Sequence, residues 1–383
     1  MIITNDIKYI GVNDREIDLF EGQYVVPDGI AYNSYAIIDE KVAIMDSVDA
    51  RFGEEWIGKM ISALDGRDPD YLVVQHMEPD HSSSITLFME RFPEATLVSS
   101  AKAFNMMKSF FGDDFADRRI VVGEGSSLSL GRHTLSFITA PMVHWPEVIV
   151  TYDSLDKVLF SADGFGKFGA LDTDDDWACE ARRYYFGIVG KYGMQVQALL
   201  KKMANLDIEI ICPLHGPVLS ENPGYYIGLY DTWSGYRPES EGVCIAYASI
   251  YGNTKAAAEL LASELTKKGV KVAISDLARC DIHEAVEDAF RYDRLVLASA
   301  TYNGDVFPPM KAFIQHLTER NYQNRKVAFI ENGSWAPMAA KVMKSMLDGS
   351  KNLTFTEAGV KITSALNDDS RAQIIALAEE LAK

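Results

Sequence analysis

The sequence has few cysteines, and their spacing excludes a zinc ribbon or a rubredoxin-type iron centre. The four cysteines are Cys179, Cys212, Cys244 and Cys280, so no CxxC pair occurs. A chain without a disulfide framework is expected to be cytoplasmic, where thiols stay reduced. The N-terminus lacks the features of a signal peptide, and no uncharged run approaches the ~20 residues that span a bilayer, so no membrane association is expected.

Positive charge is also scarce. The 37 Lys and Arg residues against 55 Asp and Glu residues give a formal net charge of -18. Such a charge opposes binding to nucleic acid or to an anionic membrane, so neither partner is expected. With 383 residues, of which 48% are hydrophobic, the chain is long enough to bury two separate cores.

The order of the predicted elements changes near residues 234–242, where SGYRPESEG has the composition of a linker. Before the linker, short β-branched runs such as YLVVQ and HTLSFITA predict buried strands, mixed with helices over 54–64 and 188–204. After it, five predicted strands alternate with helices, which is typical of a doubly wound parallel sheet. We therefore expect an α/β protein with domains at 1–240 and 241–383.

Three loops after predicted strands of the C-terminal half carry Gly, small polar residues and an aromatic. The loop SIYGNT precedes a helix, where backbone N–H groups suit a phosphate, although an isolated loop of this kind is explained equally well as a helix cap. The loops TYNG and ENGSWA follow two further strands, and ligands of such folds bind beyond the carboxyl ends of the strands. The first loop matches neither Walker A nor GxGxxG, which disfavours nucleoside triphosphates and dinucleotides.

This half resembles a flavodoxin, in which three such loops hold flavin mononucleotide (FMN). The resemblance implies that SIYGNT surrounds the phosphate and that the two later loops flank the isoalloxazine ring. Tyr302 and Trp335 are expected to stack on that ring, with ordinary packing as the alternative. The residues that the resemblance places around FMN are Ser249, Tyr251, Gly252, Asn253, Thr254, Thr301, Tyr302, Asn303, Gly304, Asn332, Gly333, Ser334 and Trp335.

Histidines and carboxylates follow several predicted strands of the N-terminal half. The run QHMEPDHSSS follows YLVVQ, and three more strands end near a His or an Asp. A single run of this kind could be a capped turn, but capping needs no His and has no reason to recur at strand ends, so a metal site is favoured. The candidate ligands are His76, Glu78, Asp80, His81, His144, Asp163 and His215.

The other three histidines are expected to be surface groups. His133 lies beside a Gly-Arg turn, and His283 and His316 lie on predicted helices. The candidate ligands comprise four His and three carboxylates, a set that favours a pair of iron or manganese ions over zinc, because carboxylates are the harder ligands.

The ligand pattern resembles the metallo-β-lactamase fold, an αββα sandwich whose hydrolases usually carry HxHxDH and two zinc ions. Glu78 stands here at the position of the middle His. Together with a flavodoxin domain, the pattern resembles the flavodiiron proteins, also called A-type flavoproteins. The resemblance implies one iron on His76, Glu78 and His144, a second iron on Asp80, His81 and His215, and Asp163 as the bridge between them.

The family resemblance implies reduction of dioxygen to water, of nitric oxide to nitrous oxide, or of both. It also implies a head-to-tail homodimer or a dimer of such dimers. Because the sequence ends at Lys383 with a predicted flavodoxin helix, a separate electron donor is expected, either rubredoxin or a reduced deazaflavin. Tyr192 is the candidate catalytic residue, although an aromatic on the packed face of its helix is an equally good interpretation.

Two other functions remain open from the sequence. The first is a binuclear metallohydrolase with an accessory flavodoxin domain, which Glu78 disfavours. The second is an electron carrier without catalysis, which would have no need of seven metal ligands.

Overall fold

The computed structural model describes residues 1–174 and 176–383. The chain divides into two compact units, Met1–Asp231 and Thr232–Lys383. The division falls within the helix Pro223–Ser234, nine residues before the boundary predicted at 240/241. In the described ranges, no helix has the length and apolar character needed to cross a membrane.

The first unit contains two large β-sheets and two small two-stranded antiparallel sheets, which pair Val12–Asp14 with Ile30–Tyr32 and Leu19–Phe20 with Tyr24–Val25. A six-stranded sheet is antiparallel at its first two pairs and parallel from the third strand onward. A five-stranded sheet is antiparallel except for its last pair. In spatial order, the strands of the six-stranded sheet are Ile7–Tyr9, Tyr35–Ile38, Val42–Met45, Tyr71–Val73, Thr96–Ser100 and Arg119–Val122. The strands of the five-stranded sheet are Ser127–Ser129, Thr134–Thr139, Ile149–Asp153, Val158–Phe160 and Ile210–Cys212.

The two sheets share one core. Val73 and Val98 of the first sheet pack in the same buried cluster as Phe137, Ile149 and Phe160 of the second. Short, strongly apolar strands of this kind are typical of sheets that are covered by other layers. The helices of this unit are Gly53–Leu64, Pro79–Ser82, Ile85–Arg91, Ala101–Phe111, Trp177–Tyr184, Gly193–Met203 and Pro223–Ser234.

The helix predicted over 188–204 begins later than expected. The π-helical turn Tyr185–Val189 and the 3-10 turn Gly190–Tyr192 precede the regular helix Gly193–Met203. A π turn inserts an extra residue per hydrogen-bonded ring, so it changes which side chains of the segment face inward.

The second unit is a parallel sheet with helices on both faces. Its strands lie in the order Val272–Asp276, Ser240–Ala248, Tyr292–Tyr302 and Lys326–Asn332, and the fifth position is filled by the short strands Thr354–Phe355 and Val360–Ile362. The hairpin strand Asp305–Val306 pairs antiparallel with the third strand. The helices are Asn253–Lys267, Ile282–Arg291, Pro308–Glu319, Ala339–Met346 and Asp368–Leu381.

This sheet has the 2-1-3-4-5 strand order of flavodoxin-like folds, which place their ligand where the order reverses. Alternate strand residues such as Ile245 and Val296 pack against the first and last helices of the unit. Together the two units confirm the α/β fold predicted from the sequence.

Candidate metal centre and flavin site

The loops that follow the strands of the first unit bring the seven predicted metal ligands together. His76 lies three residues after the strand Tyr71–Val73, and Asp80 and His81 lie on the short helix Pro79–Ser82, which begins with Pro79. The other sheet contributes the remaining ligands from the loops after its strands. Among these, His215 follows Ile210–Cys212, and Asp163 follows Val158–Phe160.

The seven side chains form two adjoining groups. In the first, Nε2 of His76 lies 3.2 Å from Nε2 of His144, and Oε2 of Glu78 lies 3.3 Å and 3.0 Å from these two nitrogens. In the second, Nε2 of His81 lies 3.0 Å from Nε2 of His215. Oδ2 of Asp80 lies 3.1 Å and 3.3 Å from these two nitrogens.

Asp163 faces both groups with one carboxylate oxygen each. Its Oδ2 lies 3.0 Å from Nε2 of His144 and 3.3 Å from Nε2 of His76. Its Oδ1 lies 3.6 Å from Nε2 of His81 and 3.8 Å from Nε2 of His215. A carboxylate between two groups of His and carboxylate donors has the placement that a bridging ligand requires.

The donor set fits two metal ions. All seven residues are at most 8% exposed. The oxygens of Asp80 and Asp163 have no hydrogen-bond partner, which is rare for buried carboxylates and expected of ligand atoms. A metal ion with ligands at about 2.1 Å and right angles separates neighbouring donor atoms by about 3 Å, as found here within each group.

Electrostatics keep the carboxylates of the cluster ionised. Burial alone would raise the pKa of Asp163, but His76 and His144 hold the pKa of this carboxyl well below its usual range. Burial likewise disfavours the imidazolium form of His144, yet the adjacent carboxylates of Asp163 and Glu78 raise the pKa of His144 to about 9. The cluster is therefore a set of negative charges that needs cations, either protons or metals.

Hydrogen bonds outside the cluster orient two of the histidines. Nδ1 of His215 donates to the carbonyl oxygen of Ala31 at 2.8 Å, and Nδ1 of His76 donates to Oε1 of Glu147 at 2.8 Å. A carbonyl oxygen only accepts, so the proton of neutral His215 is on Nδ1 and its Nε2 lone pair points at the cluster.

Glu147 and Asp46 are functional residues that the sequence analysis missed. Asp46 accepts hydrogen bonds from the backbone nitrogen and Nε2 of Gln75, at 2.7 Å and 2.8 Å, and so holds the segment directly before His76. Burial raises the pKa of Asp46 to about 6. Neither residue belongs to a local motif, but Asp46 directly follows the apolar strand Val42–Met45 and could have been found from that position.

The structure places a different tyrosine from the predicted one at the cluster. The ring of Tyr184 lies 5.4 Å from the ring of His215, its side chain is fully buried, and its hydroxyl has no hydrogen-bond partner. Burial and the charges of Asp163 and Glu78 raise the pKa of Tyr184 well above its usual value, so this phenol stays protonated. Tyr192 is half-buried at the end of a 3-10 turn, and among the described residues no hydrogen bond or ring contact joins it to the cluster.

The hairpin Leu19–Val25 also reaches both groups. The ring of Phe20 lies 5.4 Å from that of His215, edge to face. Partial desolvation of the Glu21 carboxyl, together with the charge of Glu78, raises the pKa of Glu21 to about 7. This hairpin carries no strong motif, so its position was not predicted.

The predictions for the other three histidines were largely wrong. His133 is fully buried, with Nδ1 3.0 Å from Oδ2 of Asp153 and Nε2 3.4 Å from Oδ2 of Asp6. His283 is 6% exposed, and its ring lies 5.2 Å from that of the half-buried His316. The two carboxylates that accompany His133 come from distant parts of the chain, which is why the pattern of its own turn predicted a surface position.

In the second unit, the three predicted loops surround one cavity of about 680 Å³. This volume lies within the range of small-molecule and cofactor sites. Of the thirteen predicted residues, all except Gly252 line the cavity, together with Ile250, Ala300, Ala336, Met338 and Ser364, which the sequence analysis missed.

The loop before the helix Asn253–Lys267 has the features of a phosphate site. Gly252 adopts a φ of 92°, which favours glycine, and its backbone nitrogen donates to Oγ of Ser249 at 3.0 Å. The free N–H groups of a fifteen-residue helix favour an anion at this end.

Two aromatic side chains at this cavity are unusually exposed. Tyr251 is 93% exposed and Trp335 is 83% exposed. Tyr302, the other predicted stacking residue, is 44% exposed. Large aromatic side chains are normally buried, and a planar ring system in the cavity would cover part of them.

Each of the two units matches a known protein family model, and the whole chain matches known relatives. A family model described as ODP family beta lactamase matches residues 30–216, and a flavodoxin domain model matches residues 244–360. A nitric oxide reductase of Moorella thermoacetica is 30% identical over 368 residues, which are 93% of this chain and 92% of the relative.

Two solved structures superpose on nearly the whole chain. Rubredoxin oxygen:oxidoreductase from the anaerobe Desulfovibrio gigas has a TM-score of 0.91 at 25% identity, covering 100% of this chain and 97% of its own. The flavodiiron protein from Giardia intestinalis also has a TM-score of 0.91 at 25% identity, covering 99% and 96%.

The chain belongs to the flavodiiron protein family. It is an oxidoreductase in which a metallo-β-lactamase-like domain precedes a flavodoxin domain. The flavodoxin domain implies FMN, and the two His and carboxylate groups are consistent with a diiron centre.

Proposed function

We propose that the protein reduces nitric oxide to nitrous oxide, dioxygen to water, or both. The observation that carries the proposal is Asp163, whose two oxygens face two separate groups of His and carboxylate donors. The names of the relatives support both substrates, because the Moorella protein is a nitric oxide reductase and the Desulfovibrio protein an oxygen oxidoreductase.

In this proposal, His76, Glu78 and His144 hold one iron, and Asp80, His81 and His215 hold the other. Asp163 joins the two sites. When bound, the iron pair supplies a binding site for a diatomic molecule, and FMN supplies electrons in pairs. The burial of all seven side chains excludes bulk water from the site.

The reactions also consume protons. Two nitric oxide molecules take up two electrons and two protons to give nitrous oxide and water, and dioxygen takes up four of each to give two waters. Tyr184 keeps its proton beside the cluster, so we propose that its hydroxyl, rather than that of Tyr192, donates a hydrogen bond to the substrate.

The cavity of the second unit holds FMN in this proposal. Ser249, the N–H groups after it and Thr254 bind the phosphate, while Tyr302 and Trp335 pack on the ring system. The missing Walker A lysine is consistent with a monophosphate, since backbone donors at a helix N-terminus suffice to hold one.

The test is an anaerobic assay of metal-analysed protein with one reductant, in which nitrous oxide formation and oxygen consumption are compared. A rate with either gas that depends on iron and FMN supports the proposal. Reduction of neither gas by protein that contains two irons and FMN overturns it.

A binuclear metallohydrolase is the second candidate, because the matching model of the first unit is named for β-lactamases. Glu78 stands against it, since a third carboxylate disfavours zinc relative to iron. Zinc as the resident metal, together with hydrolysis of a thioester or phosphodiester, would establish this alternative.

We propose rubredoxin or a reduced deazaflavin as the separate electron donor. The printed name of the Desulfovibrio structure, which includes rubredoxin, supports the first. Stopped-flow reduction of the bound flavin by each donor distinguishes them. Because the chain carries a net charge of -18 and rubredoxins tend to be acidic, docking would depend on a local patch, and we expect reduction by rubredoxin to show little acceleration at low ionic strength.

We further propose a head-to-tail homodimer, alone or paired into a dimer of dimers, in which the flavin of one chain serves the metals of its partner. The test co-expresses Ser249→Asp, lacking flavin, with His215→Ala, lacking metal, under different tags. Transfer between chains leaves one complete centre in the mixed dimer and about half the activity, by two-fold symmetry. A stable mixed dimer without activity would exclude transfer between chains.

A further inference from the structure

The ring of His81 is held differently from the rings of His76 and His215. Hydrogen bonds engage Nδ1 of His76 and Nδ1 of His215. Nδ1 of His81 is buried, and within the described ranges it has no hydrogen-bond partner. A ligand histidine usually donates this second N–H to a carboxylate or a carbonyl oxygen, which fixes the ring. The orientation of the His81 ring therefore depends on the side chains packed around it.

Tyr32 packs against both histidines of the second group. Its ring centre lies 6.3 Å from that of His81 at an interplanar angle of 80°, and 6.1 Å from that of His215 at 65°. Edge-to-face pairs at such distances are favourable. Tyr32 is 1% exposed, so these contacts are shielded from water. One side chain thus supports both imidazole rings of the group.

The strand Ile30–Tyr32 supports His215 through its backbone as well. Nδ1 of His215 donates to the carbonyl oxygen of Ala31 at 2.8 Å. The strand pairs antiparallel with Val12–Asp14, and the two form a small sheet of their own. Adjacent residues of one short strand therefore hold the rings of the second group, one by a hydrogen bond and the other by packing.

Asp14 fixes the hydroxyl end of Tyr32. Oδ2 of the fully buried Asp14 accepts hydrogen bonds from the Tyr32 hydroxyl at 3.2 Å and from Nη2 of Arg51 at 2.6 Å. Its Oδ1 accepts the backbone N–H groups of Glu16 and Ile17 at 3.0 Å and 3.1 Å. The Arg51 side chain is 52% exposed, so a cation from the surface balances the buried carboxylate. A buried anion with a paired charge and donors on both oxygens is a firm anchor.

We propose that Tyr32, held by Asp14 and Arg51, is a positioning residue for the metal of the second group. It keeps the ring of His81 in the orientation in which Nε2 faces Nε2 of His215 at 3.0 Å. The inference rests on the proposed function, in which these two histidines share one metal. In the described ranges, no hydrogen bond or ring contact joins Tyr32 to the first group, so the effect is confined to one of the two metals.

Tyr32→Leu is the principal variant, since leucine keeps apolar bulk but has neither the ring nor the hydroxyl. It is expected to weaken the binding of one metal per chain by about tenfold or more and to leave the other unchanged, as is typical when a group that orients a ligand is lost. Tyr32→Phe keeps the ring and should retain most of the affinity. Anaerobic chelator competition with the iron-loaded, full-length protein measures both metals whatever the activity.

Tyr152→Leu is the matched control. Tyr152 is a buried tyrosine of the same unit, and its hydroxyl donates to the carbonyl oxygen of Asp207 at 2.7 Å. No ring contact joins it to either group within the described ranges. Both metals should bind to this variant as in the wild type, so an equal loss in Tyr152→Leu and Tyr32→Leu would mean that only the general stability of the unit matters.

Glu147→Gln identifies which metal Tyr32 affects, because Glu147 is bonded to His76 of the first group. If the two residues act on different metals, each single variant keeps one tightly bound metal and the double variant keeps none. Mössbauer spectra should then show a different iron environment changed in each single variant. A double variant that still binds one metal tightly overturns the assignment of Tyr32 to the second group.

The possible failures are distinguishable. Unchanged affinity for both metals in folded Tyr32→Leu overturns the positioning role, even where the wild-type protein reduces gas. Reduction of neither gas by the loaded wild-type protein overturns the proposed function, whereas the metal affinities still decide the role of Tyr32. Should Tyr32→Leu not fold, Asp14→Asn takes its place, because the amide removes the charge that anchors the hydroxyl. It is expected to weaken the same metal, and unchanged affinity overturns the proposal.

Discussion

Oε1 of Glu147 accepts hydrogen bonds from two neighbouring residues, at 2.8 Å from Nδ1 of His76 and at 2.9 Å from the backbone nitrogen of Met77. The carboxylate thereby fixes both the ring orientation and the tautomer of His76, and its negative charge increases the basicity of the ring. Groups that orient ligands in this way typically change metal affinity by 10- to 100-fold.

Glu147→Gln is therefore expected to weaken binding of the metal on His76 by about 10- to 100-fold. The amide keeps an acceptor of the same size but loses the charge. Chelator competition measures the affinity. Glu94→Gln, on the exposed surface of the same unit, is the control and should bind both metals normally. Unchanged affinity in Glu147→Gln would show that the hydrogen bond has no influence on the site.

His215→Ala is expected to lose at least one metal and to retain flavin, because His215 belongs to the first unit and the flavin loops to the second. Metal analysis and flavin absorbance give the two readouts. His316→Ala, a half-buried histidine outside both clusters, serves as the control. If His215→Ala kept two metals and full activity, His215 would not be a ligand.

Tyr184→Phe and Tyr192→Phe form a matched pair. We expect the first to lower kcat by roughly tenfold to a hundredfold, since it removes a buried hydroxyl beside the cluster, and to keep its metals, since Tyr184 is not a ligand. Tyr192→Phe should behave as wild type. Steady-state kinetics with metal-analysed protein decide between them, and the reverse ranking would restore Tyr192 as the candidate catalytic residue.

Ser249→Asp is expected to release FMN while metal content stays normal. A carboxylate at the phosphate loop repels the anion that the loop binds. Flavin content after purification is the measurement, and Ser345→Asp, which adds the same charge at an exposed position outside the cavity lining, is the control. Normal flavin content in Ser249→Asp, or a dinucleotide as the bound flavin, would contradict the loop assignment.

His133 is expected to make stability depend on pH. Burial lowers the pKa of His133, but hydrogen bonds to Asp153 and Asp6 outweigh this and raise it above its usual value. A pKa raised by folding contributes stability that is complete below the unfolded pKa of about 6.5 and is lost as pH rises through the folded pKa.

The variant His133→Gln should thus lower the midpoint of urea denaturation more at pH 6 than at pH 9. Burial and the charge of Arg320 lower the pKa of His316, so His316→Gln should show the opposite trend. Equal losses of stability at both pH values would mean that His133 acts through packing alone.

The seven candidate ligands could be proposed from the sequence because each stands just after an apolar strand or on the short helix that follows one, and strand ends meet at one edge of a sandwich. Glu147 could not, since its link to His76 joins positions 71 residues apart and follows no local pattern. The choice of Tyr192 as the catalytic residue stays a prediction. The structure places another tyrosine, Tyr184, beside His215, and the π turn Tyr185–Val189 between the two tyrosines follows no pattern that the sequence analysis used.

The clustering of carboxylates around His76 and His144 has a consequence for how the protein acquires its metals. Burial opposes charge on both rings, yet Asp163 and its neighbours raise the pKa of His76 and bring that of His144 to about 9, so protons occupy the cluster near neutral pH when no metal is bound. Loading is then an exchange of one kind of cation for another, and it releases acid. Each proton displaced makes the apparent metal affinity fall about tenfold per unit decrease in pH, so mild acid favours release of the metals.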